Sequence, residues 1–246
     1  MNQDNSQGPE ATETTRQAGG EETRKDQETI EQLQAAVQEA VESAEEVQEK
    51  VRRLTVEALA EGKLDPREIR SVIKAVVEGA SGGIEKHGGR ARQALEEAMR
   101  GLEEGLIKAA EASKLALEEA ASRAGEFAEQ DVKQAFDQLV ELEKMYVETL
   151  AEVARQGSRQ ANQILDDLAT HARNSGTAIG EYMTEVMTTL PRKLQEAGEW
   201  GLKAGIETTR SAGAQLASIA SGFLAGIAEA LEKQSKKLKQ DEKDQG

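Results

Sequence analysis

Residues Leu95–Leu117 read LEEAMRGLEEGLIKAAEASKLAL, and this stretch decides the fold. Leu95, Leu106 and Leu117 recur every eleven residues, and the row extends both ways, through Ile73 and Ile84 before it and Ala128, Leu139 and Leu150 after it. A second row, seven residues on, carries Ala80, Ala91, Leu102, Ser113, Ala124, Ala135 and Tyr146. Eleven residues make three turns at about 3.67 residues each, close to the 3.6 of an α-helix, so both rows fall on one helical face. The spacing predicts a long amphipathic helix over 66–156. At about 1.5 Å per residue it would reach roughly 130 Å.

The start of that helix is marked by Asp65-Pro66-Arg67-Glu68. Asp65 suits the N-cap, Pro66 the first helical position, and Glu68 the third, where it completes a box-like cap. Before Gly62 the period changes. Ile30, Leu33, Val37, Ala40, Ala44, Val47, Val51, Leu54 and Ala58 step three and four residues alternately. This is the seam of a left-handed coiled coil and predicts one helix over 28–62. Ile30, Leu33, Val37, Val47, Val51 and Leu54 are its self-association candidates.

Glycines 79, 82, 83, 88 and 89 interrupt the eleven-residue region, marking either a kink or a close approach of another backbone. Further helices are expected over 158–190, divisible at Asn174-Ser175-Gly176, and over 192–233, beyond Pro191. The last is the bulkiest, with Trp200, Phe223 and Ile227. Residues 1–27 hold one isoleucine-free, leucine-free and aromatic-free run after Met1 and are expected to be disordered; the charged tail 234–246 should fray. The predicted class is therefore all-α, an elongated long-helix or coiled-coil assembly with a disordered N-terminal tail.

Composition narrows the function. Only 2% of the 246 residues are aromatic, so the apolar surface is mostly alanine and leucine, without the bulk that usually fills a globular core. The net charge of −15 repels phosphate backbones and anionic headgroups, which argues against nucleic acid and acidic membranes as partners. No cysteine is present, which excludes disulfides and thiolate chemistry and fits a cytoplasmic location. Ala212–Leu231 is interrupted by Gln215, Glu229 and serines, and falls short of a membrane span. No secretory leader is expected in the polar N-terminal residues.

Chemistry finds little footing. His87 and His171 are far apart in sequence, and Asp167 with His171 supplies only two of the ligands a metal site needs. Residues 83–90 approach a phosphate loop but lack its Lys-Ser/Thr ending and a preceding strand. No enzyme, cofactor or metal is expected.

The segment Gln134-Ala-Phe-Asp-Gln-Leu-Val-Glu-Leu-Glu-Lys-Met-Tyr-Val-Glu-Thr-Leu-Ala-Glu-Val153 resembles the central helix of phasins, helical proteins that coat bacterial polyhydroxyalkanoate granules. The similarity covers Val132 to Ala172. It implies no enzymatic activity, self-association, and a hydrophobic granule as partner. The stripe itself suits an apolar surface independently of that resemblance, because small apolar residues on a long helix adsorb shallowly while acidic residues stay in water. The expected contact residues are Ile84, Leu95, Leu106, Leu117, Leu139 and Leu150 in the stripe, with Trp200, Phe223 and Ile227 as anchors. A coiled-coil scaffold without surface binding, or a desiccation-type protective protein, are the alternatives.

Overall fold

The structure is a computed structural model. It describes the backbone of residues 10–61, 64–122, 135, 137–197 and most of 219–229, with side chains from Asp26 onward except 121, 122 and 191–197. No strand occurs among the described residues, and the chain is all-α. None of its described helices is long and apolar enough to cross a membrane.

The helices are α1 (Glu10–Ser43), α2 (Val47–Glu61), α3 (Pro66–Gly83), α4 (Ala91–Ser122), α5 (Leu142–Ala154), α6 (Arg159–Ser175) and α7 (Ala178–Ala197). The α1 backbone is helical from Glu10, inside the segment expected to be disordered, while residues 1–9 lie outside the described residues. Glu, Gln, Thr and Lys without proline can extend a helix already nucleated downstream, since propagation adds one hydrogen bond per residue fixed. Ile30 is the first side chain of α1 seen packing on the core.

The coiled-coil helix expected over 28–62 is two helices. Ala44 and Glu46 take left-handed backbone angles (φ 55° and 49°), and the chain reverses between α1 and α2. The long helix expected over 66–156 is broken as well. After α3 come single 3-10 turns at Ile84–Lys86 and Gly88–Arg90, the second opening on Gly88 at φ 51°, and α4 starts back from there. A single helix would leave the whole stripe in water; doubling back buries it on itself, at roughly 1.5–3 kcal/mol for each large aliphatic side chain.

The Asp65 cap forms as expected: its Oδ1 accepts from the backbone N–H of Arg67 (2.8 Å) and Glu68 (3.1 Å). Ser158 caps α6, and Gly176 at φ 80° ends it, dividing 158–190 at the expected Asn-Ser-Gly. Pro191 does not end a helix. It lies inside α7, which continues to Ala197. A mid-helix proline costs about 3 kcal/mol, and fully buried Val186 and Leu190 hold the helix up to that point.

Helix directions follow from paired positions. Gly79 meets Gln34 and Val37, and Gly83 meets Gln38 and Val41, so α1 and α3 run parallel. Gly101 meets Gln48 and Arg52, and Gly105 meets Arg52 and Thr55, so α2 and α4 also run parallel. With chain reversals at 44–46 and 84–90, α1–α4 make an up-down-up-down four-helix body. The segment α5–α7 forms an arm against it. Arg70 pairs with Glu148 and Lys74 with Glu152, which sets α5 parallel to α3. Arg92 pairs with Asp167 and the Glu103 carboxylate meets the Ala178 N–H, so α6 and α7 follow one another down α4. One apolar cluster runs through body and arm, and Leu224 and Ala220 of the C-terminal region are buried, Leu224 within that cluster.

Candidate functional site

The stripe residues all lie in this shared interior. Ile84, Leu95 and Leu106 have no exposed surface, and Leu117, Leu139 and Leu150 are buried as well. The folded monomer therefore does not present the stripe as an outer face. The seam residues Leu33, Val37, Val47 and Val51 are buried too, with Ile30 and Leu54 packed against them, so the heptad seam is occupied within the chain. Trp200, Phe223 and Ile227 lie outside the described residues. Large apolar side chains that remain exposed, among those described, are Leu115 on α4 and Met187 on α7.

Why the stripe is internal follows from the helices on either side of it. At about 100° per residue, Gly79 and Gly83 of α3 define one side of that helix, and Arg70 and Lys74 lie roughly opposite. The glycine side meets α1: a Cβ at Gly83 would stand 2.7 Å from the Val41 Cβ. The charged side meets α5 through Lys74 Nζ to Glu152 Oε1 at 3.1 Å and Arg70 Nη2 to Glu148 Oε2 at 3.2 Å. Helix α4 repeats the scheme. Gly101 and Gly105 face α2, where a Cβ at Gly105 would stand 2.7 Å from the Thr55 Cβ. Glu103, about 200° round from Gly101, faces α5 and α7. In both helices the eleven-residue row occupies the sector between these two sides. Gly101 and Gly105 stand two eleven-residue periods after Gly79 and Gly83, so the close approach belongs to the same repeat.

The two seams differ in chemistry. Glycine lets α1–α3 and α2–α4 come together until side chains of one helix touch backbone of the other. The arm shares the apolar cluster with the body and meets it through polar groups as well, centred on a joint of four side chains, Glu103, Glu143, Tyr146 and Thr177. The Tyr146 hydroxyl on α5 donates to Glu103 Oε1 at 2.9 Å. The Ala178 N–H, at the start of α7, donates to Glu103 Oε2 at 3.3 Å. Glu143 on α5 accepts from the Thr177 hydroxyl (2.8 Å) and N–H (3.2 Å), and the Thr177 hydroxyl in turn accepts from the Gly180 N–H (2.9 Å). Two carboxylates thus satisfy donors at the start of α7, a position that favours negative charge.

Burial holds the Glu103 carboxyl above the ordinary carboxylate range, and nearby Glu143 adds to this. The Tyr146 and Ala178 hydrogen bonds and Arg100 act in the opposite sense without cancelling it. Complete burial, with the Glu103 charge beside it, pushes the Tyr146 hydroxyl well above its usual value. Tyr182 on α7 is pushed up to about 12 by burial and by Glu111, Glu185 and Glu118. A hydrogen bond from Lys74 to Glu152 raises the lysine.

At the opposite end of the bundle the His87 Nε2–H donates at 2.6 Å to the Val41 carbonyl near the end of α1, which also accepts from the Ala44 N–H at 3.0 Å. His171 is exposed, and Asp167, its helical neighbour, is engaged by Arg92 at 2.5 Å. Among the described residues no three His, Cys, Asp or Glu side chains gather as they would around a metal.

The sequence reading missed Glu103 because it is one of many glutamates on charged helices. Tyr146 carried the available signal. It is a lone tyrosine in an alanine row, and a buried tyrosine hydroxyl requires a partner. No curated protein and no solved structure matches the chain. A family model does match, over residues 23–233, which includes all of α2–α7 and α1 from Thr23 onward; the chain belongs to the family of unknown function DUF6781.

Proposed function

We propose that this protein is a non-enzymatic coat protein that stores an amphipathic surface in a closed bundle and opens to lay it on an apolar intracellular surface, such as a storage-polymer granule. The observation that carries the proposal is the phase of the eleven-residue row. Ile73 and Ile84 are separated from Leu95, Leu106 and Leu117 by a chain reversal at Gly88, yet the period passes through it without a skip. A bundle core needs each helix to be amphipathic, but it does not need successive helices to keep one phase across a turn. A continuous helix on a flat surface does need it.

Three features support the reading. The buried side chains are largely Ala, Val and Leu, so a droplet surface can replace their contacts without leaving large aromatic groups in water. The charge of −15 keeps coated particles apart. The weak phasin resemblance at Gln134–Val153 points to the same kind of partner. Oligomerisation through the heptad seam is not part of the proposal, since that seam is occupied internally.

A tethering experiment tests it. Because the chain has no cysteine, Gln48→Cys with Glu104→Cys can be joined by a short reducible bis-maleimide across α2 and α4, where the native side chains meet at 2.6 Å. The untethered chain should float with triolein droplets. The tethered chain should stay in the aqueous phase until the tether is cleaved. Flotation of the tethered chain at the untethered level, or no flotation of either, contradicts the proposal.

A further inference from the structure

The body and the arm are joined by different chemistry, and this bears on how the bundle opens. We infer that the α5–α7 arm is a releasable cover whose docking on α1–α4 is controlled by a proton at Glu103, and that the side of α3 and α4 it uncovers is the first apolar surface the protein presents. The release stands on the geometry of the Glu103 joint together with the burial of its carboxyl. What the uncovered face meets rests on the surface-coating reading.

The geometry places Glu103 where three helices meet. It projects from α4, accepts the Tyr146 hydroxyl from α5, and accepts the Ala178 N–H from α7. The titratable and charged groups facing it are Tyr146 and Glu143 from α5, with Arg100 on its own helix; α7 contributes the Ala178 N–H. Undocking the arm would remove both donors at once and return the carboxyl to water. The surrounding polar contacts of the arm are half-exposed ion pairs, Arg70–Glu148, Lys74–Glu152 and Arg92–Asp167, which water and salt can replace. The body has contacts of this kind too, Lys86–Glu42 and Arg52–Glu104, but at Gly79, Gly83 and Gly101 it is also closed by helices in backbone contact.

The sign follows from linkage. The docked carboxyl has its pKa raised, mainly by burial, so over the window between the ordinary and the raised value the docked state holds more protons than the undocked one. Docking is then fully supported below the ordinary carboxylate pKa and weakens as pH rises through the raised value. One proton changes the docking equilibrium by at most about tenfold per pH unit.

Spin labels on Ser71→Cys in α3 and Gln163→Cys in α6, both exposed positions, report the docked distance in the full chain free of any surface. Pulsed electron resonance from pH 4 to 8.5 should show one short distance at the acid end. A longer population should grow as pH rises. In Glu103→Gln, whose amide matches the protonated acid in shape and charge, the short distance should persist throughout. Tyr146→Phe, which keeps the ring and removes the donor, should bring the longer population in at lower pH. Distances that do not respond to pH, a response that survives Glu103→Gln, or a Tyr146→Phe profile identical to the parent overturn the inference. If release follows Glu103 but triolein fails to capture the released protein, the proton-controlled cover stands and the surface-coating reading fails.

Discussion

The four-helix body and the three-helix arm bury similar aliphatic residues, yet they are built to different tolerances. In the body, Gly79, Gly83, Gly101 and Gly105 bring parallel helices into backbone contact, and an added methyl has nowhere to go. In the arm, the corresponding contacts pass through Glu103, Glu143, Arg70 and Lys74, whose side chains can rotate away or be met by water. The difference teaches that one apolar cluster can contain two seams of unequal strength. Helix α4 carries both, one on each side.

Substitutions in the two regions test that contrast, beginning with the largest expected effect. Leu106→Ala empties a fully buried position on α4 and should lower stability by about 2–5 kcal/mol. Leu165→Ala deletes the same atoms at a fully buried position in the arm. In urea titrations followed by circular dichroism, Leu106→Ala should shift the entire transition to lower denaturant. Leu165→Ala should instead advance only the loss of the arm's helices. Equal, single shifts for both would merge the two regions into one cooperative unit.

Gly101→Ala comes next. Its methyl would press on the Gln48 carbonyl of α2, a backbone group that cannot turn aside. Overpacking of this kind costs about 1–3 kcal/mol and outweighs the roughly 1 kcal/mol that alanine adds to a helix. Gly180→Ala in the arm meets the end of the Glu143 side chain instead, which can rotate. Its denaturation midpoint should move less than that of Gly101→Ala, and a larger shift would reverse the assigned tolerances.

The pH dependence is a smaller effect with a definite sign. Glu103 has its pKa raised by burial, so its contribution to arm stability is present at acid pH and lost as pH rises through that value. The slope is limited by one proton, about 1.4 kcal/mol per pH unit. Midpoints of arm unfolding measured across pH should fall in that window for the parent and stay flat for Glu103→Gln.

The smallest effect is expected from Lys74→Ala. The lysine is raised by its hydrogen bond to Glu152, but its side chain is 39% exposed. Such pairs contribute about 0–1 kcal/mol and are screened by salt. The difference between Lys74→Ala and the parent should vanish in 1 M salt (about a 3 Å screening length). A difference that persists in salt would mean the ion pair is more deeply desolvated than its exposure indicates.

How much of this was legible in the sequence depends on the type of signal. Asp65-Pro66 and Gly176 could be read directly, because a cap and a left-handed turn each demand a particular residue type. The reversal at Ala44 and Glu46 was hidden. Neither is glycine, each accepts a left-handed conformation costing roughly 1–2 kcal/mol, and the three-four apolar steps continue through the turn. Gly88 was visible as a breaker, but the same cluster also contained Gly79 and Gly83, which pack rather than turn. The described large aliphatic residues of the stripe are buried, but on separate helices rather than along one. What covers an apolar face is a tertiary matter on which periodicity is silent, so a buried core and an adsorbing surface look alike in sequence. Glu103 was illegible for the related reason that burial, not residue type, sets it apart from its neighbours.

If the two seams differ in this way, the arm leaves the body before the body opens. Native-state amide hydrogen exchange on the full-length chain, in low concentrations of urea, tests it most directly. The α5 and α6 amides should share one opening free energy, clearly below that of the α2 and α4 amides near Val51 and Leu102. A single opening free energy for all of these helices would contradict it.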